Sequence, residues 1–178
     1  MEKIKVLIAD DVQVIAESNK KIAQAFENIE VLGIAKNGQE EYNMIEKLMP
    51  DLVITDNKMP VMNGIEVIEK IKNSSISKKP KFILVTADLG SEFVNNAYSL
   101  GVLNVVGKMS SENALRYAIE EFLYLQNTNK IIQLYSNTKI VKKSPKKRRT
   151  RIDFKPFLKL RHIVCCLQNT ANMEILGI

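Results

Sequence analysis

Five polar residues that follow apolar runs have the side chains needed to move a phosphoryl group onto a carboxylate. They are three aspartates, a threonine and a lysine: Asp10, Asp11, Asp56, Thr86 and Lys108. The apolar runs that lead to them are KIKVLIA, DLVIT, KFILVT and LNVVG. Because the carboxyl ends of parallel strands face one crevice, residues far apart in the sequence meet there. The pattern predicts one polar site built from four strand ends.

Three carboxylates in one place repel one another unless a cation lies among them. Mg²⁺ suits such a site, because it takes oxygen ligands and keeps several waters for an incoming phosphate. We therefore expect Mg²⁺ as the cofactor of Asp10, Asp11 and Asp56. Asp56 is the predicted phosphoryl acceptor, because it ends a strand and precedes a loop that is expected to leave its carboxylate accessible. Transfer then depends on positioning and on neutralising charge.

The first 127 residues alternate short β-branched runs with segments of helical period, which is typical of an α/β fold with a parallel sheet. Strands are predicted near residues 3–9, 30–35, 51–56, 81–86 and 103–107. Helices are predicted over residues 12–27, 39–49 and 64–72, with a last helix from Ser110 or Ser111, either of which can cap its first turn. Right-handed crossovers place helices on both faces of the sheet.

The last helix has two alternative ends. Its apolar residues repeat at spacings of three, four and seven, and Asn129 interrupts the seam; they are Leu115, Ala118, Phe122, Leu125 and Ile132. We favour a helix that packs on the sheet up to Gln126 and ends within NTNK, residues 127–130. The alternative is a continuous helix whose exposed second half pairs with another subunit.

The acidic pair near the first strand, DNKMPVMNG at residues 56–64, the threonine and the lysine occur in an order that resembles the receiver domain of bacterial two-component response regulators. The resemblance covers residues 3–127. It implies a flavodoxin-like, doubly wound five-stranded parallel sheet of order 2-1-3-4-5. It also implies a histidine kinase or phosphotransfer protein as donor, and a signalling switch that catalyses only its own phosphorylation and dephosphorylation.

The same resemblance implies a role for each site residue. Asp11 and Asp56 bind the metal directly, Asp10 binds it through water, and the backbone carbonyl of Lys58 is another ligand. Lys108 pairs with a phosphoryl oxygen. The Thr86 hydroxyl turns inward to hydrogen-bond the phosphoryl group once it is present.

Residues of the neighbouring loops are expected to support the site. Lys58 and Asp88 occupy positions that in receivers flank the path of attacking water, and we expect them to set the lifetime of the phosphoryl group, with pairing between them as one means. Pro60 fixes its backbone φ, and Gly64 permits a turn that other residues would strain. Both are predicted to keep the loop from collapsing on Asp56.

Two positions depart from the receiver pattern. Met109 follows Lys108 where receivers usually have Pro after a cis bond; a non-proline cis bond costs about 3–4 kcal/mol, so we expect a trans bond or a rearranged loop. Val105 stands where receivers commonly carry Tyr or Phe. Coupling of Asp56 to the surface of the fourth helix, fifth strand and fifth helix is expected to be weaker or to use other residues. Tyr98 is a candidate substitute, with core packing as its favoured role.

Composition indicates a soluble globular protein in the cytoplasm. The chain has 178 residues, of which 46% are hydrophobic and 26% charged. No apolar run approaches the roughly 20 residues needed to span a bilayer, and the first residues lead into a strand without a signal-peptide pattern. The adjacent Cys165 and Cys166 fit neither a zinc site nor a disulfide framework.

Basic charge is concentrated in the C-terminal tail. Residues 1–127 carry 14 basic against 18 acidic residues, whereas residues 128–178 carry 12 against 2. We divide the chain into a receiver (1–127), a basic linker or helix extension (128–151) and a short C-terminal segment (152–178), which is either a truncated output domain or disordered.

The sequence of the tail leaves open how the protein passes its signal on. Residues 139–161 include 11 basic residues and one acid, a composition that attracts phosphates, and the family favours transcription regulation with DNA binding. No helix-turn-helix pattern is found there. The alternatives are a receiver that signals through protein contacts, including a homodimer formed on phosphorylation, and binding of the tail to RNA or to an anionic membrane surface.

A Mg²⁺-dependent phosphatase with an aspartyl nucleophile is the competing class, because it also has acidic strand ends. Such enzymes usually show a DxD pair with the nucleophile on the first strand. Here the pair is DD, and the aspartate predicted to be accessible is on the third strand. The sequence therefore favours the signalling switch.

Overall fold

A parallel five-stranded sheet forms the centre of the protein. The computed structural model describes residues 3–110 and 112–137, and within them the strands are ordered β2-β1-β3-β4-β5, all parallel. The strands are β1 (Ile4–Ala9), β2 (Ile29–Ala35), β3 (Leu52–Asp56), β4 (Lys81–Thr86) and β5 (Asn104–Gly107). The helices are α1 (Gln13–Gln24), α2 (Gly38–Leu48), α3 (Gly64–Asn73), α4 (Ser91–Ser99) and α5 (Glu112–Asn137). The predicted α/β class and strand order are confirmed.

Two apolar layers hold the helices against the sheet. Ile54 of β3 packs in a cluster with residues of α1 and α5, including Phe122. Its neighbour Val53 packs in the opposite cluster, with residues of α2, α3 and α4 such as Ile45. Because successive strand residues point to opposite faces, an apolar run buried on both sides is what a parallel strand between two helical layers requires.

Short polar segments set the starts of α2 and α3. The Asn37 side chain accepts a hydrogen bond from the Glu40 amide at 2.8 Å, which caps α2. Asn63 and Glu66 form a reciprocal capping box at the start of α3, with hydrogen bonds of 2.9 and 2.8 Å. Each cap satisfies amides that the helix itself leaves without partners, and the capping box fixes the helix that follows the Asp56 loop.

The favoured prediction for the end of the last helix is wrong. α5 continues through residues 127–130 to Asn137 and contains 26 residues, a length of about 39 Å at the rise of an α-helix. The segment NTNK contains neither Gly nor Pro, and the Thr128 hydroxyl donates to the Tyr124 carbonyl oxygen at 2.9 Å within the helix. Asparagine and threonine lower helix propensity by only a fraction of a kcal/mol each, which is too little to end the helix there.

By its contacts, the sheet belongs to one compact unit, Met1–Gln133. The predicted basic segment 139–161 and C-terminal segment 152–178 lie outside the residues that the structure describes. Within residues 3–110 and 112–137, none of the helices is both long and apolar enough to cross a membrane.

Candidate functional site

Strand register brings four polar strand ends to one edge of the sheet. Ala9, which precedes Asp10, pairs with Thr55, which precedes Asp56. Thr86 ends β4 and pairs with Gly107 of β5. The amide after that glycine, Lys108 N–H, donates to the Thr86 carbonyl oxygen at 2.8 Å. The sheet therefore places the predicted residues side by side.

Three aspartates form a compact acidic cluster at this edge. Asp10, Asp11 and Asp56 each offer one carboxylate oxygen, and these oxygens lie within 4.8 Å of one another. Asp10 Oδ1 also accepts a hydrogen bond from the Val12 amide at 2.9 Å, which fixes its orientation. Asp11 is exposed, whereas Asp10 and Asp56 are buried. The predicted gathering of the three carboxylates is present in the structure.

Lys108 bridges the two buried aspartates. Its Nζ donates to Asp56 Oδ2 at 2.7 Å and lies 3.0 Å from Asp10 Oδ2. The Lys108–Met109 peptide bond is trans, so the lysine reaches the site without the cis bond that receivers usually have. Asp56 is only 2% exposed, and the expectation of an accessible carboxylate is wrong because this ammonium group lies against it.

Electrostatics leave the cluster with an excess of negative charge. One ammonium group faces three carboxylates, and burial raises the pKa of Asp10 despite its hydrogen bond from Val12 and its contact with Lys108. Burial by itself lowers the pKa of Lys108, but the hydrogen bonds to Asp56 and Asp10 outweigh it, and the pKa is raised. A divalent cation with oxygen ligands would supply the missing positive charge. The donor set therefore fits Mg²⁺.

Thr86 is buried at the same edge, with its hydroxyl engaged locally. Its Oγ1 accepts a hydrogen bond from the Asp88 amide at 3.1 Å. A hydroxyl that accepts one hydrogen bond still has its own hydrogen to donate. Thr86 is therefore placed by β4 and keeps a donor for a ligand at the strand ends.

The predicted pairing of Lys58 with Asp88 is not found. Both residues are exposed, and among residues 3–110 no ion pair joins them. Asp88 Oδ1 instead accepts a hydrogen bond from the Gly90 amide at 2.9 Å, which closes a tight turn before α4. The Asp88 side chain is therefore held by its own turn and not by Lys58.

The loop after Asp56 is shaped by a close approach and by one residue with a left-handed φ. Gly64 N–H donates to the Asn57 carbonyl oxygen at 3.0 Å, and a Cβ on Gly64 would collide with the Asp56 carbonyl oxygen. As predicted, a residue with a side chain at this position would strain the turn, because its Cβ has no space. The left-handed φ of 71° belongs to Val61, a β-branched residue for which that conformation is strained.

The expected substitute for an aromatic at position 105 takes a different place. Val105 is buried in the layer formed with α2, α3 and α4. Tyr98 is exposed, so the favoured role in core packing is wrong. Its position at the surface keeps it a candidate for signalling contacts.

One buried polar residue near the site was missed at the level of sequence. Glu41 of α2 is fully buried, and burial raises its pKa to about 8 although a hydrogen bond from the Thr55 hydroxyl opposes this. Thr55 directly precedes Asp56. The available signal was spacing: Glu41 lies four and seven residues before Ile45 and Leu48, on the apolar side of the helix.

Comparison with known proteins gives a consistent assignment. The response regulator receiver domain model matches residues 6–120. The receiver domain protein (CheY-like) of Methanospirillum hungatei is 30% identical with a TM-score of 0.63, covering 72% of this chain and 99% of that one.

Two curated proteins are longer than the matched region. A protein-glutamate methylesterase/protein-glutamine glutaminase of Clostridium acetobutylicum is 31% identical over 73% of this chain and 39% of its own length. The uncharacterized transcriptional regulatory protein YesN of Bacillus subtilis is 33% identical over 67% of this chain and 32% of its own length. The chain therefore spans well under half of these relatives. Its sheet order, its acidic strand ends and the match over residues 6–120 show that the chain belongs to the response regulator receiver domain family.

Proposed function

We propose that this receiver takes a phosphoryl group from a phosphohistidine onto Asp56, with a histidine kinase or a phosphotransfer protein as donor. The observation that carries this proposal is the meeting of three carboxylate oxygens within 4.8 Å beside the Lys108 ammonium group. Asp10, Asp11, Asp56 and the Lys58 backbone carbonyl are the proposed ligands of Mg²⁺. A metal bound there neutralises charge on the acceptor and on the phosphoryl oxygens.

The chain's own residues account for the remaining steps. An Asp56 oxygen forms the new O–P bond while the P–N bond to the donor histidine breaks, and its electron pair stays on the imidazole. Lys108 leaves Asp56 Oδ2, which it holds at 2.7 Å, and pairs with a phosphoryl oxygen. The Thr86 hydroxyl, which accepts from the Asp88 amide in the structure, turns inward and donates its hydrogen to the same group. Lys58 and Asp88 are proposed to control the access of water to the product.

Intact-mass measurement of the full chain with acetyl phosphate tests the transfer. We expect one added phosphoryl group in the presence of Mg²⁺ and none after chelation. Asp56→Asn is expected to abolish the addition. Asp51→Asn, at another aspartate that hydrogen-bonds the Lys5 amide, is the matched control and should be phosphorylated normally. Sustained phosphate release from small phosphate esters would instead favour the aspartyl phosphatase.

The proposed output is regulation of transcription in the cytoplasm, by a receiver (1–127) with a basic linker or helix extension (128–151) and a short C-terminal segment (152–178). Support comes from the 11 basic residues at 139–161 and from the relative named as a transcriptional regulatory protein. We propose no enzymatic activity beyond self-catalysed phosphotransfer and dephosphorylation. Homodimer formation on phosphorylation belongs to the same proposal.

Binding of a labelled DNA duplex to the full chain tests this output. We expect binding that beryllofluoride with Mg²⁺ strengthens and that survives moderate salt. Replacement of the four basic residues at 146–149 by glutamine should weaken it, since each phosphate contact adds to the salt-dependent affinity. Binding that salt abolishes regardless of beryllofluoride would favour a receiver that signals through protein partners.

A further inference from the structure

Glu41 is a buried acid with a single hydrogen-bond partner. It is 0% exposed, and its Oε2 lies 3.0 Å from Thr55 Oγ1. Its Oε1 has no partner among the residues that the structure describes. Positions at which a chain departs from the usual rule for buried polar groups are expected to be functional or strained sites. The surroundings of Thr55 indicate what such a function would be.

The Thr55 hydroxyl has two acceptors within reach but only one hydrogen. Its Oγ1 lies 3.0 Å from Glu41 Oε2 and 3.1 Å from the Asp56 carbonyl oxygen. When Glu41 is protonated on Oε2, it donates to Thr55 Oγ1, and the Thr55 hydrogen is left for Asp56. When Glu41 is ionised, it can only accept. Glu41, whose own proton has passed to bulk water, then accepts the hydrogen bond from the Thr55 hydroxyl. The Asp56 carbonyl oxygen loses this donor.

The Asp56 carbonyl belongs to the peptide that joins the acceptor to its loop. Gly64 packs directly against this carbonyl, with the site of a Gly64 Cβ only 3.2 Å from Asn57 Cα. The Asn57 carbonyl oxygen in turn accepts hydrogen bonds from the amides of Met59 and Gly64 at 3.2 and 3.0 Å. A change in the hydrogen bond at this carbonyl therefore acts on the position of the backbone that carries the acceptor carboxylate.

We propose that Glu41 is a positioning residue for the acceptor, and that its protonation decides whether Thr55 hydrogen-bonds to Asp56 or to Glu41. The proposal rests on phosphorylation of Asp56, the proposed function of the site. With Glu41 protonated, Asp56 is held for transfer. With Glu41 ionised, Asp56 loses this hydrogen bond, and a further negative charge lies behind the site. The receiver thereby accepts phosphate faster at lower pH.

Other charged groups do not replace Glu41 in this role. Asp10 and Asp56 are the other buried charged residues of the described chain, and both contact Lys108. The Tyr42 hydroxyl, next along α2, donates to Glu46 at 2.8 Å, and Glu40 accepts from the Lys36 amide. The remaining charged residues of α2 and of the elements packed against it, α3, β1 and β2, are exposed: Glu46, Lys47, Glu66, Glu69, Lys70, Lys72, Lys5 and Glu30.

NMR titration of the full chain tests the hydrogen-bond switch without any phosphoryl donor. The ¹³C resonance of the Asp56 backbone carbonyl is followed from about pH 6 to pH 9.5, a range centred near the Glu41 pKa of about 8. We expect a single step near the middle of this range in the wild type and in Glu69→Gln, a control at an exposed glutamate. Glu41→Gln and Thr55→Val should both lack the step. A step that persists in Thr55→Val would overturn the proposed route through the hydroxyl.

Phosphorylation kinetics over the same pH range test the consequence. We expect the wild-type rate with acetyl phosphate to fall about three- to tenfold as the pH rises, the scale of one net hydrogen bond. Glu41→Gln should show no such fall. If the rate of Glu41→Gln falls in the same way, the positioning role of Glu41 is overturned. If the wild type is not phosphorylated at any pH but its Asp56 carbonyl resonance still shows the step, only the proposed function is refuted. If Glu41→Gln fails to fold, Thr55→Val decides both tests.

Discussion

Ionisation of Glu41 should make the stability of the protein fall with rising pH. Burial raises the pKa of Glu41 from 4.5 to about 8 in the folded chain, while in the unfolded chain the carboxyl titrates near its ordinary value. Between these two values the folded state binds more protons than the unfolded state. Stability is therefore fully present below the unfolded pKa and is lost as the pH rises through the folded pKa. Glu41→Gln removes this dependence.

The size of the effect follows from the separation of the two pKa values. Each pKa unit corresponds to about 1.4 kcal/mol. At about pH 7, the folded protein has lost on the order of 3 kcal/mol relative to acidic solution, and above the folded pKa the loss levels off near 5 kcal/mol. Glutamine keeps an acceptor for the Thr55 hydroxyl but brings an unpaired amide, at a cost of about 1–3 kcal/mol that does not depend on pH.

Urea unfolding followed by circular dichroism, at several pH values from about 5 to 9, measures this loss. The free energy of unfolding of the wild type should decline relative to that of Glu41→Gln by several kcal/mol across the range. Glu69→Gln, at an exposed position, should follow the wild type. Parallel curves for the wild type and Glu41→Gln would show that Glu41 does not titrate in this range, and the reasoning from its burial would be refuted.

Three further experiments test other parts of the structure. Lys108→Ala removes the ammonium group that occupies the acidic cluster, so Mg²⁺ affinity measured by calorimetry should rise about tenfold while phosphorylation slows; weaker Mg²⁺ binding would contradict the proposed metal site. Gly64→Ala places a Cβ against the acceptor's carbonyl and should cost about 1–3 kcal/mol in urea unfolding, whereas Gly90→Ala meets only the end of the Asp88 side chain and should cost less. Phe122→Ala should cost about 3–5 kcal/mol because the side chain is 1% exposed, and Leu125→Ala, at an exposed position, should cost under about 1 kcal/mol; equal losses would contradict the described packing of α5.

The site residues that follow strands could be placed from the sequence, because the geometry of a parallel sheet determines where its strand ends lie. Asp56 and Thr86 end apolar runs, and such runs in a βα alternation must align with their carboxyl ends at one edge. Asp10 and Lys108 come directly after their strands and meet there for the same reason. The receiver motif at residues 56–64 then indicated phosphoryl transfer among the reactions that an acidic sheet edge allows.

Features that depend on contacts between distant side chains were not predictable in the same way. Accessibility of Asp56 depends on where the Lys108 ammonium group lies, 52 positions further along the chain. Glu41 was missed because an acid within a helix is ordinarily exposed, and its burial follows from packing of α2 on the sheet. The end of α5 depends on small propensity differences summed over a segment with no strong stop signal.

The central claim is that Asp56 accepts the phosphoryl group, and its most direct test is to locate the modified residue. The full chain is treated with acetyl phosphate and Mg²⁺, the acyl phosphate is reduced with borohydride, and the modified aspartate is identified by peptide mass spectrometry. The account predicts modification of Asp56 alone, dependent on Mg²⁺. Modification of Asp10 or Asp11 instead, or none under conditions in which the protein is folded, would contradict it.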